Sequence, residues 1–392
     1  MFEIPKSMRA VVYRGVNDLR LETVPVPEIS ESELLVKVAV CGVCPTDIKK
    51  IHYGLLPPPR IYGHETAGVI VKMGGDKTSL TVRSPSAPKF VLKVGDRVAL
   101  HHHVPCMVCH FCRHRAFAQC PTNKRTGITA GFEPAGGGFA EYVRVMPFVL
   151  PGVVKIPPRN TFEEAAMFEP LNTVLKAVNR LNVLSGDRVL VAGQGPIGLM
   201  FTKLLKLRGI HVLATDLLES RLKLATRFGA KWAVNATARD GGIPIPESFF
   251  PKRSVDASIN RSAPFDAAVI AVPSDAAVRQ AVQLVRGGGQ IMLFAHTKRA
   301  GTGTTDQDGH AAASGLYPLD LASICVDEKD LMGSYAADFT IQNEVGRLIF
   351  SRQFDMRKLI THRFPLEKAS EAVALAAHPT PDSLKVVVTV NL

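Results

Sequence analysis

The sequence has no apolar run of the length a membrane-spanning helix needs, about 18 residues or more. It has no long basic block either; the densest stretch is Arg113–Arg115. Lys and Arg number 47 against 35 Asp and Glu, so the surplus of +12 is dispersed, which argues against a nucleic-acid partner. The 31 glycines and 27 prolines are scattered, which excludes collagen and low-complexity chains. No internal repeat of solenoid length, about 20–50 residues, is present. The start, Met1–Val16, has neither an apolar core nor a small-residue cleavage site, and reads as cytoplasmic. Met8 opens a strand-like run, Arg9–Tyr13, so residues 1–7 read as an extension or a mis-called start. What is present is ordinary globular composition, 46% hydrophobic and 21% charged, over 392 residues. At about 150 residues per domain this predicts two or three domains, large enough to hold a core without staples.

Seven cysteines stand at 41, 44, 106, 109, 112, 120 and 325. Cys106, Cys109, Cys112 and Cys120 cluster, which in an intracellular chain of this size points to a metal rather than to disulfides. Four thiolates suit a closed, tetrahedral, structural zinc. An iron–sulfur cluster is the other metal reading; the β-rich setting and the absence of a redox partner motif disfavour it. Cys41 and Cys325 read as small buried residues.

Residues 8–150 look all-β, with runs at Leu34–Val40, Thr66–Val71, Arg97–Leu100 and Phe139–Val145 between Gly/Pro turns. Lys77–Phe90 reads as a surface loop. Near residue 160 the texture changes. Thr161 and Glu164 form a capping box, and Glu163–Leu181 has helical periodicity. Strand Arg188–Ala192, helix Leu199–Arg208, strand His211–Thr215 and helix Glu219–Phe228 then alternate, continued by strands Ala267–Val272 and Gln290–Phe294. This predicts a parallel sheet. Ala236–Pro264 reads as a surface insertion and Ala300–Ser314 as a mobile stretch. The tail predicts a helix at Leu366–Ala377 and a strand at Leu384–Val390.

Gly193-x-Gly195-x-x-Gly198 follows an apolar strand and opens a helix, with Asp216 ending the next strand. In that context the glycines read as a dinucleotide cradle and Asp216 as the ribose acceptor. The charge of Asp216 favours NAD over NADP. Pro196, Ile197, Arg221, Val272 and Phe294 complete the expected cofactor set. Cys44, His64 and Glu65 offer thiolate, imidazole and carboxylate, a donor set that suits zinc with an exchangeable fourth position.

The motifs CGVCPTD (41–47), GHETAG (63–68), GDRV (95–98), the four-cysteine loop (106–120), GGFAEYV (137–143), EPL (169–171), GQGPIG (193–198) and THRFPLEKA (361–369) span nearly the whole chain. In that order they resemble the zinc-dependent medium-chain dehydrogenases, in their polyol (sorbitol) and L-threonine dehydrogenase branch. The resemblance implies an α/β protein with a GroES-like, β-rich catalytic domain from residues 1–159 and 336–392. A Rossmann domain would occupy residues 160–335. It implies two zinc ions per chain, NAD, a small alcohol substrate and a homo-oligomer, dimer or tetramer, with no membrane or nucleic-acid partner.

It also implies roles. Cys44 and His64 would be ligands of the catalytic zinc, joined by Glu65 or Glu169. Asp47 would fix the tautomer of His64, and Thr46 would pass the alcohol proton outward. Many relatives place a histidine where Lys49 stands; His52 or Lys49 is then the expected relay terminus. Sorbitol-type relatives carry an arginine where Ala336 stands. His101, His102 and His103 precede the four-cysteine loop, where relatives line the substrate pocket; His102 or His103 is expected to touch substrate. On a strand, His102 would face away from His101 and His103. Two readings compete with the enzyme: a zinc-free reductase of the same superfamily and a non-catalytic zinc- and nucleotide-binding regulator.

Overall fold

The computed structural model describes residues 3–84, 87–123, 136–237, 243–250, 262–295 and 319–390. They fall into two compact units, Met1–Thr173 with Ala336–Leu392, and Val174–Tyr335. The first boundary lies later than the change of texture at residue 160. The capping box of Thr161 and Glu164 starts helix Phe162–Ala166, which packs on strands Leu34–Gly42 and Glu65–Met73 of the first unit.

The first unit is β-rich. Its largest sheet runs Val153–Lys155, Arg97–Leu100, Glu65–Met73, Leu34–Gly42, Lys385–Thr389, Ile360–Pro365. Tyr142–Val145 also pairs with Leu34–Gly42. A second sheet orders Asp18–Pro25, Ser7–Gly15 and Arg60–Ile61. The long strands are β-branched and almost wholly buried, as a strand covered on both faces requires. Val36, Ile70, Phe139, Val143 and Val388 share one core, so both ends of the chain build it. Lys77–Phe90, read as a loop, contains strand Ser79–Ser84, which pairs with Ala87–Lys93 in an antiparallel hairpin. The alternation of Leu80, Val82, Phe90 and Leu92 is the signal that its Ser and Pro content hid; Val82 and Leu92 are buried.

The second unit is a six-stranded, all-parallel sheet, ordered Trp232–Asn235, His211–Asp216, Arg188–Ala192, Phe265–Ile270, Val285–Leu293, Asp330–Gly333. Numbered within the unit this is 3-2-1-4-5-6, the doubly wound order whose strand sequence reverses beside the first strand. Val189, Leu190 and Val191 are fully buried in that central strand. Helices Pro196–Leu207, Glu219–Phe228 and Asp275–Leu284 supply the crossovers.

Two readings are corrected here. Part of Ala236–Pro264 lies outside the described residues, but Phe249 within it is 1% exposed and packs on Trp232 and Phe265. The described residues around Phe249 therefore contribute to the core. Cys325 is exposed, on helix Leu321–Val326, a helix with no buried residue. Ala300–Ser314 lies outside the described residues. No described helix is long and apolar enough to cross a membrane.

Candidate metal centres and dinucleotide site

Helix Pro45–His52 starts on Cys44, an unusual cap. The Cys44 Sγ accepts the Thr46 N–H at 3.4 Å, and Asp47 Oδ2 reaches back to the Cys44 N–H at 3.4 Å. Asp47 Oδ1 faces His64 Nδ1 at 3.0 Å. One buried carboxylate thus ties the backbone of Cys44 to the imidazole of His64, which lie on different elements. With Nδ1 engaged, Nε2 is the ring nitrogen of His64 left for a metal. Glu65 opens strand Glu65–Met73. One ligand atom each of Cys44, His64 and Glu65 lies within 4.8 Å of the others. Burial opposes charge on Asp47, but the neighbouring imidazole holds its carboxyl below the usual range. Burial likewise disfavours the His64 imidazolium, yet Asp47 and Cys44 raise it well above its ordinary value. Thiol, imidazole and carboxylate within this reach of one another are a donor set that fits a metal ion.

Glu169, in the first turn of helix Phe168–Val178, is 6% exposed. Burial pushes its carboxyl up to about 7, eased by His64 and reinforced by Glu65. Its Oε1 lies 3.3 Å from His103 Nδ1. The three histidines follow the end of strand Arg97–Leu100, so strand alternation does not govern them. The rings of His102 and His103 lie 3.9 Å apart, and His102 lies 5.4 Å from His64. They therefore share a side, contrary to the alternating expectation. Both ring nitrogens of His102 are buried without a hydrogen-bond partner, and burial, with the neighbouring histidines, pulls its imidazolium well below the ordinary value. His52 sits elsewhere: its Nδ1 faces Asn17 Oδ1 at 3.1 Å, and its ring packs on Tyr53. Thr46 is half-buried at the helix start.

Sequence reasoning missed Lys385. It opens a strand of valines, and a lysine among β-branched residues was the available signal. Its Nζ is buried, ion-paired with Glu65 Oε2, and donates to the Val43 carbonyl at 2.9 Å.

The four-cysteine loop is a second donor set. The ligand atoms of Cys106, Cys109, Cys112 and Cys120 lie within 4.8 Å of one another. The Sγ atoms of Cys109 and Cys112 are 3.5 Å apart, and those of Cys106 and Cys112 are 4.0 Å apart. Tetrahedral zinc with bonds of about 2.3 Å would space them at about 3.8 Å. Backbone N–H groups already point at sulfur: Cys106 to Cys120 Sγ at 3.3 Å, Cys109 to Cys106 Sγ at 3.4 Å. Burial opposes the Cys120 thiolate, but backbone N–H groups bring it down to about 6. Backbone N–H groups also lower Cys106, whereas burial and the neighbouring thiols push Cys112 up to about 12, so without a cation the loop favours thiolate only at some of its sulfurs.

In the second unit, Gly193 has φ 88°, and a Cβ there would meet Val272 Cβ at 2.9 Å. A Cβ on Gly198 would lie 1.8 Å from the Gly193 carbonyl oxygen, whereas one on Gly195 would meet nothing within 4 Å. Gly195 caps helix Pro196–Leu207, with Pro196 and Ile197 in its first turn. The open side of Gly195 and the N–H groups that begin the helix leave a place where an anion could be held. Asp216 Oδ2 accepts the Gln194 N–H at 2.6 Å and Oδ1 the Leu218 N–H at 3.0 Å. Arg221 Nη1 lies 3.9 Å from Asp216 Oδ2, and Arg221 Nε is buried without a hydrogen-bond partner. Phe294 packs edge-on against Phe201, at 5.0 Å between centroids.

The chain as a whole has counterparts among known proteins. The family model for the alcohol dehydrogenase GroES-like domain matches residues 30–158, and that for zinc-binding dehydrogenases matches residues 196–349. The chain belongs to the zinc-binding, medium-chain alcohol dehydrogenase family. It is 29% identical to a sorbitol dehydrogenase of Bombyx mori over 94% of each chain. It is 28% identical to a sorbitol dehydrogenase of Bacillus subtilis over 99% of each. An alcohol dehydrogenase of Escherichia coli, solved with NADH, superposes with a TM-score of 0.75 at 25% identity, over 98% of this chain and 100% of that one. The chain is an oxidoreductase of this family, with its GroES-like and Rossmann domains.

Proposed function

We propose that the chain oxidises a polyol or another secondary alcohol reversibly with NAD, using one catalytic and one structural zinc. The observation that carries the reading is the tie made by Asp47 between Cys44 and His64, with Glu65 in reach of both. Cys44 and His64 would hold the catalytic ion, with Glu65 or Glu169 as a further donor. Cys106, Cys109, Cys112 and Cys120 would hold the structural one. Bound there, zinc supplies a Lewis acid that polarises the alcohol oxygen and eases loss of its proton.

The chain's own residues do the rest. Asp47 orients the His64 ring and anchors the turn that carries Cys44. The hydroxyl of Thr46, two residues on, is the first acceptor for the alcohol proton. His52 faces Asn17, so a relay that used it would have to reach outward past the helix. Glu169 and His103 form a polar pair fit to hold a water or a second hydroxyl of a polyol, and His102 presents unpartnered nitrogens for the same purpose. Gly193 and Gly198 would keep the turn tight, and Gly195 would let the backbone approach the pyrophosphate. Asp216 would be the acceptor for the ribose hydroxyls, and its carboxylate would select against a 2′-phosphate. L-threonine is the less favoured substrate, because no cation among the described residues is assigned to its carboxylate. A cytoplasmic homo-oligomer, dimer or tetramer, is the expectation that the resemblance adds.

The test is NADH formation across polyols, secondary alcohols and L-threonine, on protein of measured zinc content. Zinc near two per chain, with turnover on a polyol that a chelator abolishes, is the expected result. Zinc near one, with Cys44 open to alkylation, would overturn the catalytic centre.

A further inference from the structure

The mechanism above gives no role to Lys385, although it is a buried cation beside the metal donors. Its side chain is 6% exposed and that of Glu65 2%. Strand Lys385–Thr389 runs antiparallel to Leu34–Gly42, with Val387 opposite Gly42 and Val388 opposite Cys41. Gly42 in turn stands opposite Glu65 on its other side. The lysine and the glutamate therefore approach one another across Gly42. A Cβ on Gly42 would lie 1.9 Å from Glu65 Oε2 and 3.0 Å from Lys385 Cε. The bare glycine is the opening through which the pair meets. Nζ is fixed from the other side by the Val43 carbonyl at 2.9 Å, one residue before Cys44.

We infer that Lys385 is the positioning residue for Glu65. It holds the Oε2 oxygen, so that Glu65 presents a single oxygen, already partly neutralised, to the donors Cys44 and His64. The inference rests on the reading of that trio as a metal centre. A carboxylate has two oxygens and can bind a cation through either or both. A buried ammonium does not give up its partner cheaply, because an unpaired buried charge is costly. With Oε2 committed to Lys385, Glu65 is confined to one-oxygen donation, and its charge is shared with the lysine. A donor weakened in this way is exchangeable, which an open catalytic site requires and a closed structural site does not.

The test uses full-length protein loaded with cobalt(II), with the Cys44→Ser variant subtracted to isolate this centre. Lys385→Met removes the charge and keeps the length. It is expected to shift the cobalt ligand-field bands and to slow metal loss to a chelator by about tenfold, a size seen when groups behind metal ligands are changed. Lys385→Gln, which keeps a donor for the Val43 carbonyl, should act in the same direction, and decides the matter if the methionine variant does not fold. In a Glu65→Gln background Lys385→Met should add nothing, because the two residues act through one contact. Bands and loss rate like wild type in both Lys385 variants would overturn the inference. So would an effect that persists in the Glu65→Gln background, since Lys385 would then act through Val43 alone. Wild-type protein without Cys44-dependent bands would overturn the metal-centre reading itself, and this inference with it.

Discussion

Gly195 and Gly198 belong to one turn, but only Gly198 is held to glycine by a protein neighbour. Methyl at 198 meets the Gly193 carbonyl at 1.8 Å, so Gly198→Ala must move backbone and is expected to lower Tm. Methyl at 195 meets no protein atom within 4 Å, so Gly195→Ala should leave Tm unchanged and weaken dinucleotide binding at least tenfold. A melt and a binding titration on the two variants separate them; equal loss of Tm in both would remove the argument that Gly195 faces the phosphate. Asp47→Asn is a second residue-scale case. The amide keeps one acceptor for His64 Nδ1–H but turns a donor towards the Cys44 N–H. Zinc affinity is expected to fall by about 10–100-fold, read by competition with a chelating dye. Cys44, His64 and Glu65 were legible because their types are scarce and chemically specific. Lys385 was not, because its partner lies far off in sequence and only the sheet register joins them. The side shared by His102 and His103 was not legible either, since it depends on where strand Arg97–Leu100 stops.

At the scale of elements, the capping box at Thr161 and Glu164 was readable from local sequence, and the structure gives it a partner no local pattern shows. Glu164 Oε2 accepts the Thr161 N–H at 2.7 Å, and its Oε1 accepts from Arg352 Nε at 2.7 Å. Arg352 comes from beyond helix Gln342–Phe350, so this pair stitches the C-terminal segment to the start of helix Phe162–Ala166. Burial alone would raise the Glu164 carboxyl; the hydrogen bonds from Arg352 and Thr161 hold it below its usual value instead. The sign follows. A carboxyl whose folded value is depressed contributes stability that is present above the unfolded value, about 4.3, and lost as pH falls through the folded one. Glu164→Gln should therefore lower Tm at pH 7, and its deficit relative to wild type should shrink at acid pH. A deficit independent of pH would mean that Glu164 acts by shape and not by charge. The hairpin hidden in Lys77–Phe90 shows the opposite limit of element reading: Ser and Pro signalled a turn, while strand pairing with Ala87–Lys93 overrode them.

For the whole molecule, chain order decides which part can stand alone. The parallel sheet of the second unit draws all six strands from residues between 188 and 333. The principal sheet of the first unit instead places Lys385–Thr389 between Leu34–Gly42 and Ile360–Pro365. Removing the C-terminal segment would strip Leu34–Gly42 of one of its three strand partners, open the core that Val36 and Ile70 share with Val388, and leave Glu65 without Lys385. A fragment of residues 174–335 is therefore expected to melt cooperatively and to bind NADH. Its sole tryptophan, Trp232, on strand Trp232–Asn235, serves as the energy-transfer donor for that titration. A fragment of residues 1–173 is expected to show neither a cooperative melt nor Cys44-dependent cobalt bands, and addition of a peptide spanning 336–392 should restore both. If residues 1–173 folded and bound cobalt alone, the centre would owe nothing to the C-terminal strand. The reason both chain ends must be present would then lie in stability elsewhere, not in the Glu65–Lys385 contact that the sheet register creates.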